Sequence, residues 1–140
     1  MPESETIIRP AICDDVAALA AFIETFVAEG RILPRTVDEL AELVSHGFVA
    51  ESAGRIVGFA ALEVYSPKLA EVRSLVVAAE MQGHGIGRKL LAACVEKAHS
   101  LNVLEVLAIT SEEAFFRSCG FDFTLPGEKK AMFIQTRELP

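Results

Sequence analysis

The segment Gln82-Gly83-His84-Gly85-Ile86-Gly87-Arg88-Lys89 places three glycines within five residues, between a β-branched run and the start of a helical pattern. Glycine tolerates positive φ and allows close backbone approach, so successive N–H groups here can turn into one concavity. The positive end of the following helix adds to them, which makes the segment a cradle for an anion, most naturally a pyrophosphate. Two other phosphate motifs fail on spacing. No G-K-[ST] follows to make a P-loop, and no G-x-G-x-x-G precedes an acidic residue about 20 positions on. Nucleotide hydrolysis and hydride transfer are therefore disfavoured. Arg88 and Lys89 either reach the phosphates or form a solvated helix face.

The remaining charge balance makes that local cradle necessary. Thirteen Lys plus Arg against twenty Asp plus Glu give a formal net charge of −7, which repels nucleic-acid phosphates and anionic membrane surfaces, so neither is expected as a partner. His46, His84 and His99 share no ligand spacing with one another or with Cys13, Cys94 and Cys119, and no metal is expected. The cysteines are odd in number and far apart, as reduced thiols of a cytoplasmic protein would be. Met1 to Thr6 carries two glutamates and no apolar run, unlike a signal peptide, and no 18-residue apolar stretch follows.

The elements that must position the cradle follow from periodicity. At 140 residues, 51% apolar and 24% charged, the chain sustains a folded core, and no repeat or linker divides it, so one domain over 1–140 is expected. Thr6–Arg9 reads as a strand. After Asp14 and Asp15, either of which can N-cap, Val16, Leu19, Phe22, Ile23, Phe26 and Val27 recur at helical spacing up to Gly30. Thr36 and Glu39 make a capping box for a second helix, with Gly47 at its C-cap. Phe48–Glu51 and Arg55–Val64 form a hairpin around Ser52-Ala53-Gly54. Glu71–Val77, the helix marked by Ile86, Leu90, Leu91, Cys94, Val95 and Ala98, and Val103–Ile109 make a βαβ unit with parallel strands. Thr110 and Glu113 read as a further capping box, opening a short helix that ends at Gly120. Two apolar runs, Phe121–Leu125 and Ala131–Gln135, complete the sheet. The fold class is α/β, a mixed sheet with helices on both faces.

The spacing Gln82-x-x-Gly85-x-Gly87 between a strand and a helix resembles motif A of the GNAT acyltransferases, which move acetyl from acetyl-CoA to amines. Phe115-Phe116-x-x-x-Gly120-Phe121 looks like a later helix-and-strand motif of the same family, and the order of elements extends the resemblance over nearly the whole chain. The resemblance implies splayed central strands and acetyl-CoA as cosubstrate. By it, the backbone of Gln82, Gly83, His84, Gly85, Ile86, Gly87 and Arg88 holds the CoA pyrophosphate, and Leu75, Val76 and Val77 pair with the pantetheine arm while also serving as core. Thr110 is a helix cap that also touches the pantetheine, and Phe116 belongs to the same CoA-binding set.

The resemblance also makes Glu71, six residues before Val77, the candidate general base, because an attacking amine must lose its proton before or during attack on the thioester. Arg73, two residues on, shares its face and either tunes Glu71 or binds an anionic substrate. Phe116 stands where many GNAT enzymes carry a tyrosine that protonates the departing thiolate; a thiol of pKa about 8.5 leaves tolerably without one. Tyr65, the sole tyrosine, is an alternative acid.

Ile32-Leu33-Pro34-Arg35, Ala70-Glu71, Ile109-Thr110-Ser111 and Leu125-Pro126 with Lys129-Lys130 are similar to the acetyltransferase domain of N-acetylglutamate synthases. That likeness makes Arg35 and Arg137 the substrate-carboxylate ligands, a task suited to the planar guanidinium. Glu138 and Leu139 follow Arg137 where the synthases would lead one to expect a serine. The expected substrate is a small amine, glutamate first, which links the chain to arginine biosynthesis. A homodimer is compatible with this. Another small amine, or a CoA-sensing or assembly module without turnover, is the alternative.

Overall fold

The computed structural model describes residues 5–123, 132–134 and 136, which fall into two compact units divided after Thr110. The first unit contains β1 (Thr6–Pro10), α1 (Val16–Ala28), α2 (Val37–Val44), β2 (Gly47–Ser52), β3 (Arg55–Ser66), β4 (Leu69–Val77), α3 (Ile86–Ser100) and β5 (Glu105–Leu107). Its sheet has the order β1-β2-β3-β4-β5. The first four strands run antiparallel, and β5 lies parallel to β4 as the βαβ reading requires.

Strand alternation separates the two faces. On one, Leu19, Ile23 and Phe26 of α1 and Leu40, Leu43 and Val44 of α2 pack with Val49, Phe59, Ala61 and Val76 of the sheet. On the other, Ile86 and Leu90 of α3 lie over Gly58 and Ala50. A Cβ at Gly58 would stand 3.0 Å from Leu90 Cδ1, 3.2 Å from Ala50 Cβ and 3.3 Å from Ile86 Cγ2. Gly58→Val therefore overpacks the seat of α3 and should lower unfolding stability by about 1–3 kcal/mol. The check is a urea titration, where the midpoint should fall at unchanged slope; an unmoved midpoint would mean that α3 yields freely.

Local signals explain most boundaries. The Thr36–Glu39 box forms reciprocally: Glu39 N–H donates to Thr36 Oγ1 at 3.1 Å and Thr36 N–H donates to Glu39 Oε1 at 2.9 Å. Ala53 and Gly54 both adopt positive φ, 51° and 75°, in the two-residue turn between β2 and β3, as a type I′ hairpin needs. Gly30, at φ 73°, ends α1, with Arg31 N–H bonded to Phe26 O and Gly30 N–H to Val27 O, the Schellman pattern.

Three expectations for the first unit are corrected. Asp15 does hold the N-cap position of α1, but its side chain makes no capping bond there, because its carboxylate accepts from Arg9 and from the Ile12 N–H instead. Gly47 is no helix cap: α2 is capped at Ser45, and Gly47 opens β2, where a Cβ would meet Leu43 O and Phe59 Cε1 at 3.0 Å each. The strands also shift, β3 and β4 running on to a tight Ser66–Leu69 turn and β5 shrinking to three residues.

The second unit holds α4 (Glu113–Ser118), ended by Gly120 at φ 95°. The Thr110–Glu113 box does not form, since Glu112 is the N-cap and Glu113 is the first helical residue, its carboxylate 3.6 Å from Arg117 one turn on. Phe116 packs edge-on with Phe115 and Phe121, ring centroids 5.4 Å and 5.2 Å away. Of the two final runs, 121–123 and 132–134 form no strand, and the rest lies outside the described residues.

Candidate active site

β4 ends at Val77, and a 3-10 turn over Ala79–Met81 leads into the glycine segment. Gln82 Nε2 donates to Val77 O at 3.3 Å, tying the loop to the strand it leaves. Gly83 and Gly85 have φ of 86° and 78°, and Gly85 is the N-cap of α3. A Cβ built on either meets nothing within 4 Å, so these glycines serve backbone conformation and an open concavity rather than tight packing. The buried Ile86 anchors the helix start while Gln82, His84, Arg88 and Lys89 are exposed. Lys89 is the first residue whose N–H returns to the helix, to Gly85 O at 3.1 Å. The amides of Ile86 and Gly87 thus lack acceptors within α3. An anionic group matches this arrangement of donors and dipole.

Upstream, the sheet opens. β5 pairs only with Leu69, Ala70 and Glu71, so β4 from Val72 to Val77 has no strand on that side among the described residues. The other edge is irregular as well. Between the pairs Phe59↔Val76 and Ala61↔Arg73, β4 carries one extra residue, with Ser74 at φ 58°. This is a β-bulge, which releases backbone groups from the ladder and re-aims them. Val76 remains in the core at 4% exposure, and Leu75 and Val77 are half-buried.

Four side chains converge on β3 and β4. Glu71 is buried, at 7% exposure. Tyr65 Oη donates to Glu71 Oε1 at 2.5 Å. Arg73 Nη1 donates to Glu63 Oε2 at 2.9 Å and to Tyr65 Oη at 3.3 Å, and lies 3.7 Å from Glu71 Oε1. Glu63 stands directly across from Glu71 in the ladder. Burial, then the carboxylates of Glu63 and Glu71, push the Tyr65 phenol above its ordinary range, so it stays protonated and can donate. Burial opposes the charge on Arg73, and Tyr65, Glu71 and Glu63 together more than offset it.

Beside this cluster is a cavity of about 230 Å³, whose walls include Arg35, Glu39, Glu42, His46 and Glu63. Arg35 Nε and His46 Nδ1 are buried there with no hydrogen-bond partner among the described residues. Glu63 thus belongs both to the cavity and to the Arg73–Glu71–Tyr65 network, and it brings Arg35, Arg73 and Glu71 into one region. Thr110 is exposed at the end of the first unit, and Phe116 lies in the second. Arg137 lies outside the described residues. Sequence reasoning did not place Glu63 or His46 in this region, where the structure brings both to the cavity wall. Glu63 alternates with Tyr65 along β3, yet only the hairpin register sets it opposite Glu71. Nothing in the spacing of His46 marks it.

Among the described residues, no cluster of three or more His, Cys, Asp or Glu is arranged to hold a metal ion, and no helix is long and apolar enough to cross a membrane. Residues 44–122 match the Acetyltransferase (GNAT) domain family. The chain is 37% identical over 125 residues to an uncharacterised N-acetyltransferase of Chlorobaculum tepidum, covering 86% of this chain and 78% of that one. It is 32% identical over 118 residues to the amino-acid acetyltransferase of Mycobacterium tuberculosis, with 82% and 67% covered. Among solved structures, it is similar to the N-acetylglutamate synthase of Neisseria gonorrhoeae complexed with coenzyme A and N-acetyl-glutamate, at TM-score 0.73 and 26% identity. That likeness covers 84% of this chain and 28% of the synthase, so the chain spans little more than a quarter of that enzyme's length.

Proposed function

Because the chain belongs to the GNAT family of acetyltransferases, we propose that the amine it acetylates is the α-amine of a free amino acid, glutamate first, a reaction that would feed arginine biosynthesis in the cytoplasm. The observation that carries this reading is the shared wall: a cavity containing Arg35 adjoins, through Glu63, the buried Glu71 with its Tyr65 and Arg73 partners. Its volume is about 230 Å³. This is the scale of one amino acid and lies below the usual range for drug-sized ligands. The amino-acid acetyltransferase and the synthase among the similar proteins point the same way.

Acetyl-CoA supplies an activated acetyl thioester. The backbone of Gln82 through Arg88 holds its pyrophosphate at the N-terminus of α3, where an open concavity suits a phosphate. Leu75, Val76 and Val77, on the stretch of β4 that has no strand beside it among the described residues, pair with the pantetheine arm. Amides near Val76 and the Ser74 bulge donate to the carbonyl oxygen as negative charge develops there. Glu71 accepts a proton from the substrate's ammonium, directly or through water, the freed amine attacks the thioester carbonyl and the thiolate is expelled, while the Tyr65 hydroxyl holds the carboxylate in place. No dedicated acid is needed, since the thiolate is a tolerable leaving group.

The experiment is thiol release from acetyl-CoA against a panel of amino acids and their decarboxylated amines. Glutamate should be preferred over glutamine and over amines lacking a carboxylate. Arg35→Lys keeps the charge and loses the planar fork, so KM for glutamate should rise about tenfold or more while KM for acetyl-CoA barely moves. Phe116, standing where a tyrosine is common in the family, favours a second reading as a CoA sensor. A sensor binds acetyl-CoA and releases no thiol with any amine.

A further inference from the structure

Resting on that reading, we propose that His46 is a specificity residue, its Nδ1–H acting with Arg35 Nε–H to hold a carboxylate of the amino-acid substrate. Buried polar nitrogens are ordinarily satisfied, and a donor left unpaired away from water is destabilising. Yet Arg35 Nε and His46 Nδ1 are both buried without a partner among the described residues, and both residues line the same cavity of about 230 Å³. Arg35 Nε–H is always a donor and His46 Nδ1 is one in the tautomer that carries its proton there, so a carboxylate in the cavity they share has an oxygen for each.

The neighbouring carboxylates do not fill that role. Glu39 accepts from Thr36 N–H at 2.9 Å as part of the α2 cap. Glu63 accepts from Arg73 at 2.9 Å. Glu42 is exposed, and with Glu63 it gives the cavity a negative side that suits the substrate's ammonium. The cavity therefore carries donors for an anion and acceptors for a cation, the pairing that a zwitterionic amino acid presents. The backbone holds His46 in place: its N–H donates to Leu43 O at 3.2 Å, and its carbonyl accepts from Leu62 N–H at 3.0 Å. That fixes His46 at the junction of α2 and β2 with one ring nitrogen unassigned.

The test compares wild type, His46→Leu and His46→Asn on glutamate, glutamine and the α-amide of glutamate. Leu removes the donor, so KM for glutamate should rise about tenfold or more with kcat changed less than about threefold. Asn restores an N–H near the Nδ1 position and should stay within about threefold of wild type. The His46→Leu penalty should vanish for whichever amide lacks the carboxylate that His46 grips. Independently of any variant, the ¹⁵N resonance of His46 Nδ1 should shift when glutamate is added to the CoA-loaded wild type. If wild type acetylates glutamate but His46→Leu leaves KM within about twofold, or the resonance does not move, the role of His46 is overturned while the amino-acid reading stands. If wild type acetylates only amines without a carboxylate, both fall together.

Discussion

Glu71→Gln is expected to lower kcat/KM by about 100-fold or more at neutral pH, with acetyl-CoA affinity unchanged. The amide keeps the size of the side chain and still accepts from the Tyr65 hydroxyl, which is 2.5 Å from Glu71 Oε1. The buried cluster should therefore survive and only basicity be lost. The deficit should shrink as pH rises, because the substrate amine is then already neutral and needs no base. Rates measured from about pH 6 to about pH 9 decide the matter, and activity within about twofold of wild type throughout would assign the base elsewhere.

Gly85→Asp should abolish the stabilisation that acetyl-CoA confers. In the wild type, ligand at about 100 times its Kd raises folding stability by about 2.7 kcal/mol. Gly85 sits at φ 78° with open space where a Cβ would lie. Asp tolerates the left-handed region better than most residues, so the variant should fold, with a small loss from the strained φ. Its carboxylate then occupies the concavity proposed for phosphate, where the helix dipole favours it, and repels an incoming pyrophosphate. Gly85→Asn has the same shape without the charge and should keep part of the thermal shift. A wild-type shift in Gly85→Asp would show that the loop is not the pyrophosphate site.

How much of this was legible depended on how local the physics is. The glycine loop was readable because positive φ at Gly83 and Gly85 is a demand that a short stretch of chain makes by itself. The Thr36–Glu39 box was readable for the same reason, its two hydrogen bonds spanning three residues. The apolar periods of α1, α2 and α3 announced which faces would be buried, and with them a mixed sheet covered on both sides. Local signs misled where distant contacts decided. Gly47 looked like a cap, but the ring of Phe59 is what leaves no room for its Cβ. Glu113 matched a capping box, yet helix α4 starts too late for it and the carboxylate faces Arg117.

The chemistry of the centre lies mostly on the non-local side. The glycine motif pointed to an anion, its family resemblance to acetyl-CoA, Glu71 and Arg35, and strand alternation to Arg73 beside Glu71, but no spacing in the chain says that Arg35 meets the other two. Their meeting depends on cross-strand register: Glu63 faces Glu71, Tyr65 reaches the same carboxylate, and Arg73 bridges them across the β3–β4 hairpin. The bulge at Ser74 is equally silent in sequence, since a serine at φ 58° carries no glycine to betray it. The cavity that joins Arg35 and His46 exists only once α2 has packed against β3. Thus the sequence by itself determined the positive-φ glycine loop, the helix faces and the family, all set by neighbours along the chain, while tertiary structure alone decided which side chains meet in the candidate site, because pairing register and packing bring together groups far apart in sequence.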